Sequence, residues 1–569
     1  MFVRYKNTGN GKTKVQIVES VREGRHVRQK VLRHIITANA GDDFEKIREI
    51  AEYACIELQQ AKKPSLFSTA ELAEMVLESR RKSEPDTHPL PVNLKNLREE
   101  HRLITGIHDV YGALFDRAGF GQALKRCKVS RQVFKDIVMA RLAKPASKRS
   151  SCEMLEKDFG KTIALEKVYR MLDLLKEENI KKLQDIAWNF SKTLLTREVR
   201  IFFYDCTTLY FESFTEDELR RFGYSKDHKF NQGQVLLALL VTDEGLPVGY
   251  DVFAGNMYEG NTFSLAIKKL KERYSIAKAI AVADSGLMSD NNVRMLEESG
   301  MDYILGARLK TLSVEWQNRI LDNTDYKVFI KENKKTGSSE NKDKEKEVLR
   351  VHDFDYSQKR RLIVSHSNIR AKKDRRDREK AVEKLYQKLE KSTNPASLIS
   401  NYGYKKFLSV EGEVSVKVNE EKMQAAALWD GLHGVFTNTK RKELEAHRVL
   451  EQYHGLWQVE DSFRISKHDL RVRPVFHWNA DRIRAHIAVC FVAFALIRFM
   501  QHFIKKELNE NFSAQRISEE LVGIQESILL DCRENNRYVI PSKTSDDAKK
   551  LYGIMRLHRS QVPYRLMAE

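Results

Sequence analysis

VRIFFYDCTTLYF (199–211) decides the fold: an apolar and aromatic run broken by one carboxylate, Asp205. A short apolar run bounded in this way reads as a buried strand. A carboxylate placed against it is costly unless it is paired or meets a cation. The run predicts a strand ending at Asp205, and sheets of mixed direction build their sites at strand ends. AIAVADSGLMS (279–289) repeats the pattern, with Asp284 after an apolar run and a Ser285–Gly286 step that lets the backbone turn. Either aspartate alone reads more readily as a turn residue; two in one predicted sheet shift the reading towards a site.

Between them lies GQVLLALLVTDEGLPVGYDVF (233–253), two strands joined at Asp243–Glu244–Gly245, and then the helical SLAIKKLKERYS (264–275). Three sequential strands, a helix and a strand predict an α/β core with a mixed sheet. The third carboxylate lies further on, in EQYHGLWQVEDSFRISKHDL (451–470). Tyr453, Glu460 and Lys467 are spaced seven and seven apart, so a helix predicted over 442–467 carries them on one stripe. Glu460 and Arg464 also fit an exposed i, i+4 ion pair. Asp461 is a rival carboxylate off that stripe.

Carboxylates from two strands and one helix suit hard divalent cations, here two Mg²⁺ ions with Mn²⁺ able to substitute. Lys467 and Tyr453 then suit phosphate oxygens. This is the chemistry of in-line phosphodiester transfer. The chain has no GxxxxGK[ST] loop, no HExxH and no CxxC, which sets ATP hydrolysis and zinc sites aside.

The 569 residues carry 99 Lys+Arg against 80 Asp+Glu, a net +19 that points to a polyanionic partner, nucleic acid first. Six scattered cysteines argue against a disulfide framework. No apolar leader opens the sequence, and the apolar run 487–497 is too short to cross a bilayer, so a buried helix and a cytoplasmic protein are expected.

The texture divides the chain into a basic, β-rich then helical region (1–90), a helical, basic, DNA-binding region (91–195), a first core part (196–310), an insertion domain (311–429), a second core part with the glutamate helix (430–510) and a C-terminal helical tail (511–569). Gly9–Asn10–Gly11 and Glu23–Gly24 mark hairpin turns in the first region. Two basic clusters, 1–36 and 125–149, suit contact with a DNA backbone.

These motifs resemble the DDE class of bacterial insertion-sequence transposases, in the insertion-sequence-four-like superfamily. YDCTT (204–208) matches its first-aspartate motif and ADSGLMS (283–289) its second. Tyr453, Glu460 and Lys467 match three of the four positions of its Y-x2-R-x3-E-x6-K signature, with Leu456 in place of the arginine. The resemblance implies an RNase H-like core with a β-rich insertion before the glutamate helix. It implies Asp205, Asp284 and Glu460 as catalytic metal ligands. It also implies a homodimer on DNA that binds terminal inverted repeats, cuts there and joins the freed 3′ ends to target DNA. A nuclease without strand transfer and an inactive DNA-binding derivative are the alternatives.

Further candidates for DNA contact are Lys226, His228 and Lys229 in GYSKDHKFNQGQ (223–234), and Arg471 and Arg473 after the glutamate helix. Arg464 or Arg471 could stand in for the signature arginine. Trp457 suits either core packing or stacking on a displaced base. Asn256 and Asn261 could approach the site, or GNMYEGNTF (255–263) is a plain connection with Thr262 as a helix cap. His477 and Trp478 read as packing residues.

Overall fold

The computed structural model describes residues 1–7, 12–23, 26–38, 44–62, 92–196, 199–212, 215–223, 231–274, 279–322, 324–331, 347–391, 407–411 and 415–566. The basic N-terminal stretch forms three antiparallel strands, β1 (Phe2–Asn7), β2 (Thr13–Glu23) and β3 (His26–Ala38), with β2 central. The helix Phe44–Lys62 covers one face. Its Ile47 and Ala51 pack against Val15 and Ala38, and its Ala54 and Cys55 against Ile17. The first predicted turn, Gly24 of the second and residues 63–91 lie outside the described residues.

After β4 (Leu97–Ile104) comes a helical layer that includes Lys128–Ala143, Lys148–Phe159, Leu165–Leu174 and Glu177–Leu194. The chain then enters a nine-stranded sheet. Its strands in chain order are β5 (Ile201–Tyr210), β6 (Gln234–Thr242), β7 (Pro247–Ala254), β8 (Ile280–Ala283), β9 (Asp302–Ala307), β10 (Lys327–Lys331), β11 (Glu347–Ser357) and β12 (Arg360–Ser367). A separate hairpin, β13 (Leu408–Glu411) with β14 (Ser415–Val418), precedes the ninth strand, β15 (Leu432–Thr437).

The spatial order is β10-β11-β12-β15-β9-β8-β5-β6-β7. β5, β8 and β9 are parallel, and the other pairings are antiparallel. The sheet is therefore mixed, and the predicted insertion is not a separate layer. Its strands β10 to β12 lengthen the sheet, and β15 joins them to β9. The backbone edge that β9 would expose is paired instead.

Alternation along β5 separates two cores. Phe203 and Leu209 face the long helix Ala480–Leu508, while Phe202, Tyr204 and Cys206 face the helices Glu259–Tyr274 and Asp290–Glu298. Ala480–Leu508 is long and apolar enough to cross a membrane, yet 89% of its most apolar window is buried inside the protein. The predicted helical tail instead contains β16 (Gln525–Asp531), β17 (Arg537–Pro541) and β18 (Tyr564–Leu566) as well as helices. β16 pairs with β4, so residues far apart in sequence share a four-stranded sheet.

Candidate active site

Asp205 does not end its strand. β5 runs on through Cys206–Tyr210, and Asp205 lies opposite Leu239 of β6. The β-branched pair Thr207–Thr208 sustains the extended backbone. Asp284 does end its strand, directly after β8. β5 and β8 pair in parallel with Phe203 beside Val282. That pairing stops there, two residues before Asp205 on β5 and two before Asp284, which lies just past the end of β8. Asp205 is half-buried and accepts a hydrogen bond from the Cys206 N–H at 2.7 Å, while Asp284 is exposed.

The predicted helix over 442–467 is three pieces: Ala446–His454, Trp457–Arg464 and a π-helical turn, Ile465–Asp469. At the first junction the Leu456 N–H bonds to the Tyr453 carbonyl and the Gln458 N–H to that of Gly455, a tightening to i, i+3 spacing. Gly455 sits where a Cβ would come within 2.4 Å of the Phe203 ring, so the missing side chain lets the helix rest on β5, two residues from Asp205.

The stripe is uneven as a result. Tyr453 is buried, Glu460 exposed and Lys467 half-buried. Tyr453 donates a hydrogen bond to Asp284 Oδ1 at 3.1 Å. It reaches over Gly306 of β9, where a Cβ would lie 2.4 Å from its Oη. Burial, then the Asp284 charge, raises the Tyr453 phenol, and Glu460 adds to that rise. Glu460 is thus within electrostatic reach of the hydroxyl that touches Asp284.

Asp461 is engaged elsewhere. Arg498 of the long helix, 7% exposed, pairs with it at 3.0 Å and donates to the Gln458 carbonyl and Ser462 Oγ. Arg464 pairs with Asp461 at 2.7 Å and Asp469 at 3.5 Å. Leu456 is buried in the core, so a side chain at that position points away from solvent.

The other candidates scatter. Arg471 is exposed with φ 44°, and Arg473 lies 5.2 Å over the Tyr210 ring at the end of β5. Trp457 is 56% exposed and no core residue. Trp478, expected to pack, is 63% exposed with Arg220 5.1 Å over its ring, whereas His477 does pack, edge-on against Tyr169 and tilted against His486. Asn256 and Asn261 are exposed. Thr262 lies inside its helix, not at the cap, bonded to Glu259 and Tyr204. Lys226, His228 and Lys229 lie outside the described residues.

Two contributors escape sequence reasoning. His433 of β15 packs its ring 5.0 Å from that of Tyr453; burial, then Arg370, holds it down at about 4. Arg370 begins the helix Asn368–Lys391, and its charge acts on both Tyr453 and His433. Arg370 comes from the insertion and His433 from the strand that follows it, and the pairing of β15 with β12 and β9 brings them here. The basic run 125–149 also divides. Arg141 is buried and donates to the carbonyls of Leu470, Arg471 and Ala146. Lys148 is buried beside His486, and burial pushes its amine down to about 7.

Among the described residues no three acidic, histidine or cysteine side chains converge closely enough to hold a metal ion as they stand. The donor chemistry still suits a hard divalent cation: all-oxygen carboxylates, two of them exposed, on neighbouring strands and the helix above them.

Residues 197–496, more than half of the chain, match the family model described as the transposase DDE domain. No curated protein matches. Among solved structures, a piggyBac transposase synaptic complex with hairpin DNA is similar at 8% identity and TM-score 0.37, covering 74% of this chain and 78% of that one. The Mos1 transposase paired-end complex with left transposon end is similar at 12% identity and TM-score 0.14, covering 46% and 77%.

Proposed function

The chain belongs to the transposase DDE domain family, and from that premise we propose that it cuts DNA at the ends of its own element and joins the freed 3′ ends to target DNA, with Asp205, Asp284 and Glu460 as the catalytic carboxylates. The observation that supports this is the parallel pairing of β5 with β8, whose strands lead into Asp205 and Asp284, together with the packing of the Glu460 helix on β5. The strand order β7-β6-β5-β8-β9, with only the last three parallel, supports an RNase H-like core. Tyr453, Glu460 and Lys467 support the insertion-sequence-four-like assignment, with the buried Leu456 as the departure.

Asp205, Asp284 and Glu460 would hold divalent metal, Mg²⁺ by preference and in two ions. When bound, the metal activates the attacking oxygen and neutralises charge that develops on the phosphate. The chain's own residues do the rest. Tyr453 fixes the Asp284 carboxylate, so one oxygen is held and the other is left to bind. Lys467 and Arg370 supply positive charge to orient a phosphodiester, and Arg464, Arg471, Arg473, Trp457 and the Lys226–Lys229 loop extend that surface along the DNA. A homodimer bridging two inverted repeats, working in the cytoplasm, completes the proposal.

The test is strand transfer. Purified protein, Mg²⁺, a labelled duplex carrying the element's terminal repeat and a plasmid target should give covalent joining of the repeat's 3′ end to the plasmid. Cutting without joining would instead favour a nuclease.

A further inference from the structure

The N-terminal sheet has one face covered by the helix Phe44–Lys62 and, among the described residues, one face that this helix leaves uncovered, the open face. β2 alternates: Val15 and Ile17 point into the helix Phe44–Lys62, so Lys14 and Gln16 point away from it. Cross-strand pairing continues both rows. Arg4, Gln16 and His34 are level across the three strands, as are Lys6, Lys14 and Thr37. Phe2, Val18 and Val31 form a third row, in which Phe2 is 40% and Val31 43% exposed while Val18 at its centre is fully buried.

Arg4 ties the open face together. It donates through Nη1 to Gln29 Oε1 at 3.1 Å and through Nη2 to Gln16 Oε1 at 2.7 Å. The guanidinium is thus held in place by neutral amides. Residues 1–36 carry nine Lys/Arg against two acids.

We infer that this open face of β1–β3 is a DNA-reading surface that lies in the major groove at the element's ends. The inference rests on the transposase proposal and adds which surface recognises the repeat. Three strands span two inter-strand gaps, roughly 10 Å, against a major groove about 12 Å wide. Two register shifts between β2 and β3 increase the local twist, which helps a sheet follow a groove. Arginine reads guanine O6 and N7, glutamine reads adenine N6 and N7, and exposed apolar groups meet the thymine methyl. Arg4, Gln16 with Gln29, and Phe2 with Val31 present all three chemistries on one face, with Lys6 and Lys14 level with each other for phosphates.

The test uses the full-length protein, the terminal-repeat duplex and a scrambled duplex of equal length. Arg4→Ala and Gln16→Ala should each cut the preference for the repeat by roughly tenfold to a hundredfold, with affinity for the scrambled duplex unchanged. Arg4→Ala should also lose dimethyl sulfate protection of guanine N7 within the repeat. A Lys6→Ala/Lys14→Ala double variant should weaken both duplexes alike and lower the salt slope by roughly two. Arg33→Ala, on the covered face where Arg33 meets Glu57, should keep the preference. Preference and N7 protection retained in both Arg4→Ala and Gln16→Ala would overturn this inference alone. A wild-type protein without preference for the repeat would overturn the transposase proposal and this inference with it.

Discussion

Tyr453 Oη donates to Asp284 Oδ1 at 3.1 Å from a helix 169 positions further along the chain. The contact exists because β9 carries Gly306 beneath the hydroxyl. Tyr453→Phe keeps the ring and removes the donor. A hydrogen bond to a charged group contributes about 1.5–3 kcal/mol, so losing it should lower end cleavage roughly tenfold or more and stability by no more than that amount. Gly306→Ala should cost more, because its Cβ would lie 2.4 Å from Oη and 2.8 Å from the Ser285 amide. Cleavage rates of both variants check this; wild-type rates in Tyr453→Phe would remove the tyrosine from the site.

Glu460 and Asp461 are adjacent carboxylates with different work to do. Asp461 anchors the glutamate helix to Arg498. Arg498→Ala removes that anchor and its hydrogen bonds to the Gln458 carbonyl and Ser462 while Asp461 keeps Arg464, so chemical denaturation should show a loss of about 1–3 kcal/mol. Glu460→Gln should leave the denaturation curve in place and abolish cleavage. If Asp461→Asn kills cleavage without loss of stability while Glu460→Gln does not, the assignment is reversed.

Leu456 stands where the family signature has arginine, and its side chain is in the core. Leu456→Arg should therefore not raise activity. It should lower the unfolding free energy by more than the roughly 1–3 kcal/mol of an unpaired neutral polar group, because the guanidinium that would be buried is charged. Increased end binding by a stable Leu456→Arg protein would contradict the buried placement.

His433, His477 and His502 are each held down at about 4, in each case first by burial. With folded values below the ordinary 6.5, the unfolded chain binds more protons between those two pH values. Their contribution to stability is full above pH 6.5 and drains away as pH falls towards 4. Denaturation midpoints should drop across that window, and His433→Gln should flatten part of the drop. A pH-independent midpoint from 6.5 to 4 would contradict the buried histidines.

The local parts of this fold are written in the sequence. Apolar runs give β5 and β8, the Asp243–Glu244–Gly245 turn gives the β6–β7 hairpin, and the apolar stretch around Ile487–Ile497 gives a buried helix. What hides is set by contacts distant in sequence. Asp205 lies mid-strand because Thr207 and Leu209 go on pairing with β6, a signal that the β-branched threonines carry and the lone carboxylate masks. The insertion strands join the sheet through β15, which no local pattern reveals. Arg141 and Lys148 look like DNA contacts in a basic run, yet the fold buries both against the segment 470–486. The seven-and-seven stripe assumes one regular helix, and the tight step at Gly455 and the π-turn after Arg464 break it.

The most direct measurement is nicking of the terminal-repeat duplex in Mg²⁺ by wild type, Asp205→Ala, Asp284→Ala and Glu460→Ala, with end binding recorded on the same samples. The account predicts nicks at the repeat ends with wild type and none with any variant, while all four proteins bind the repeat. Nicking retained in any one variant would remove that carboxylate from the site and contradict the three-carboxylate centre.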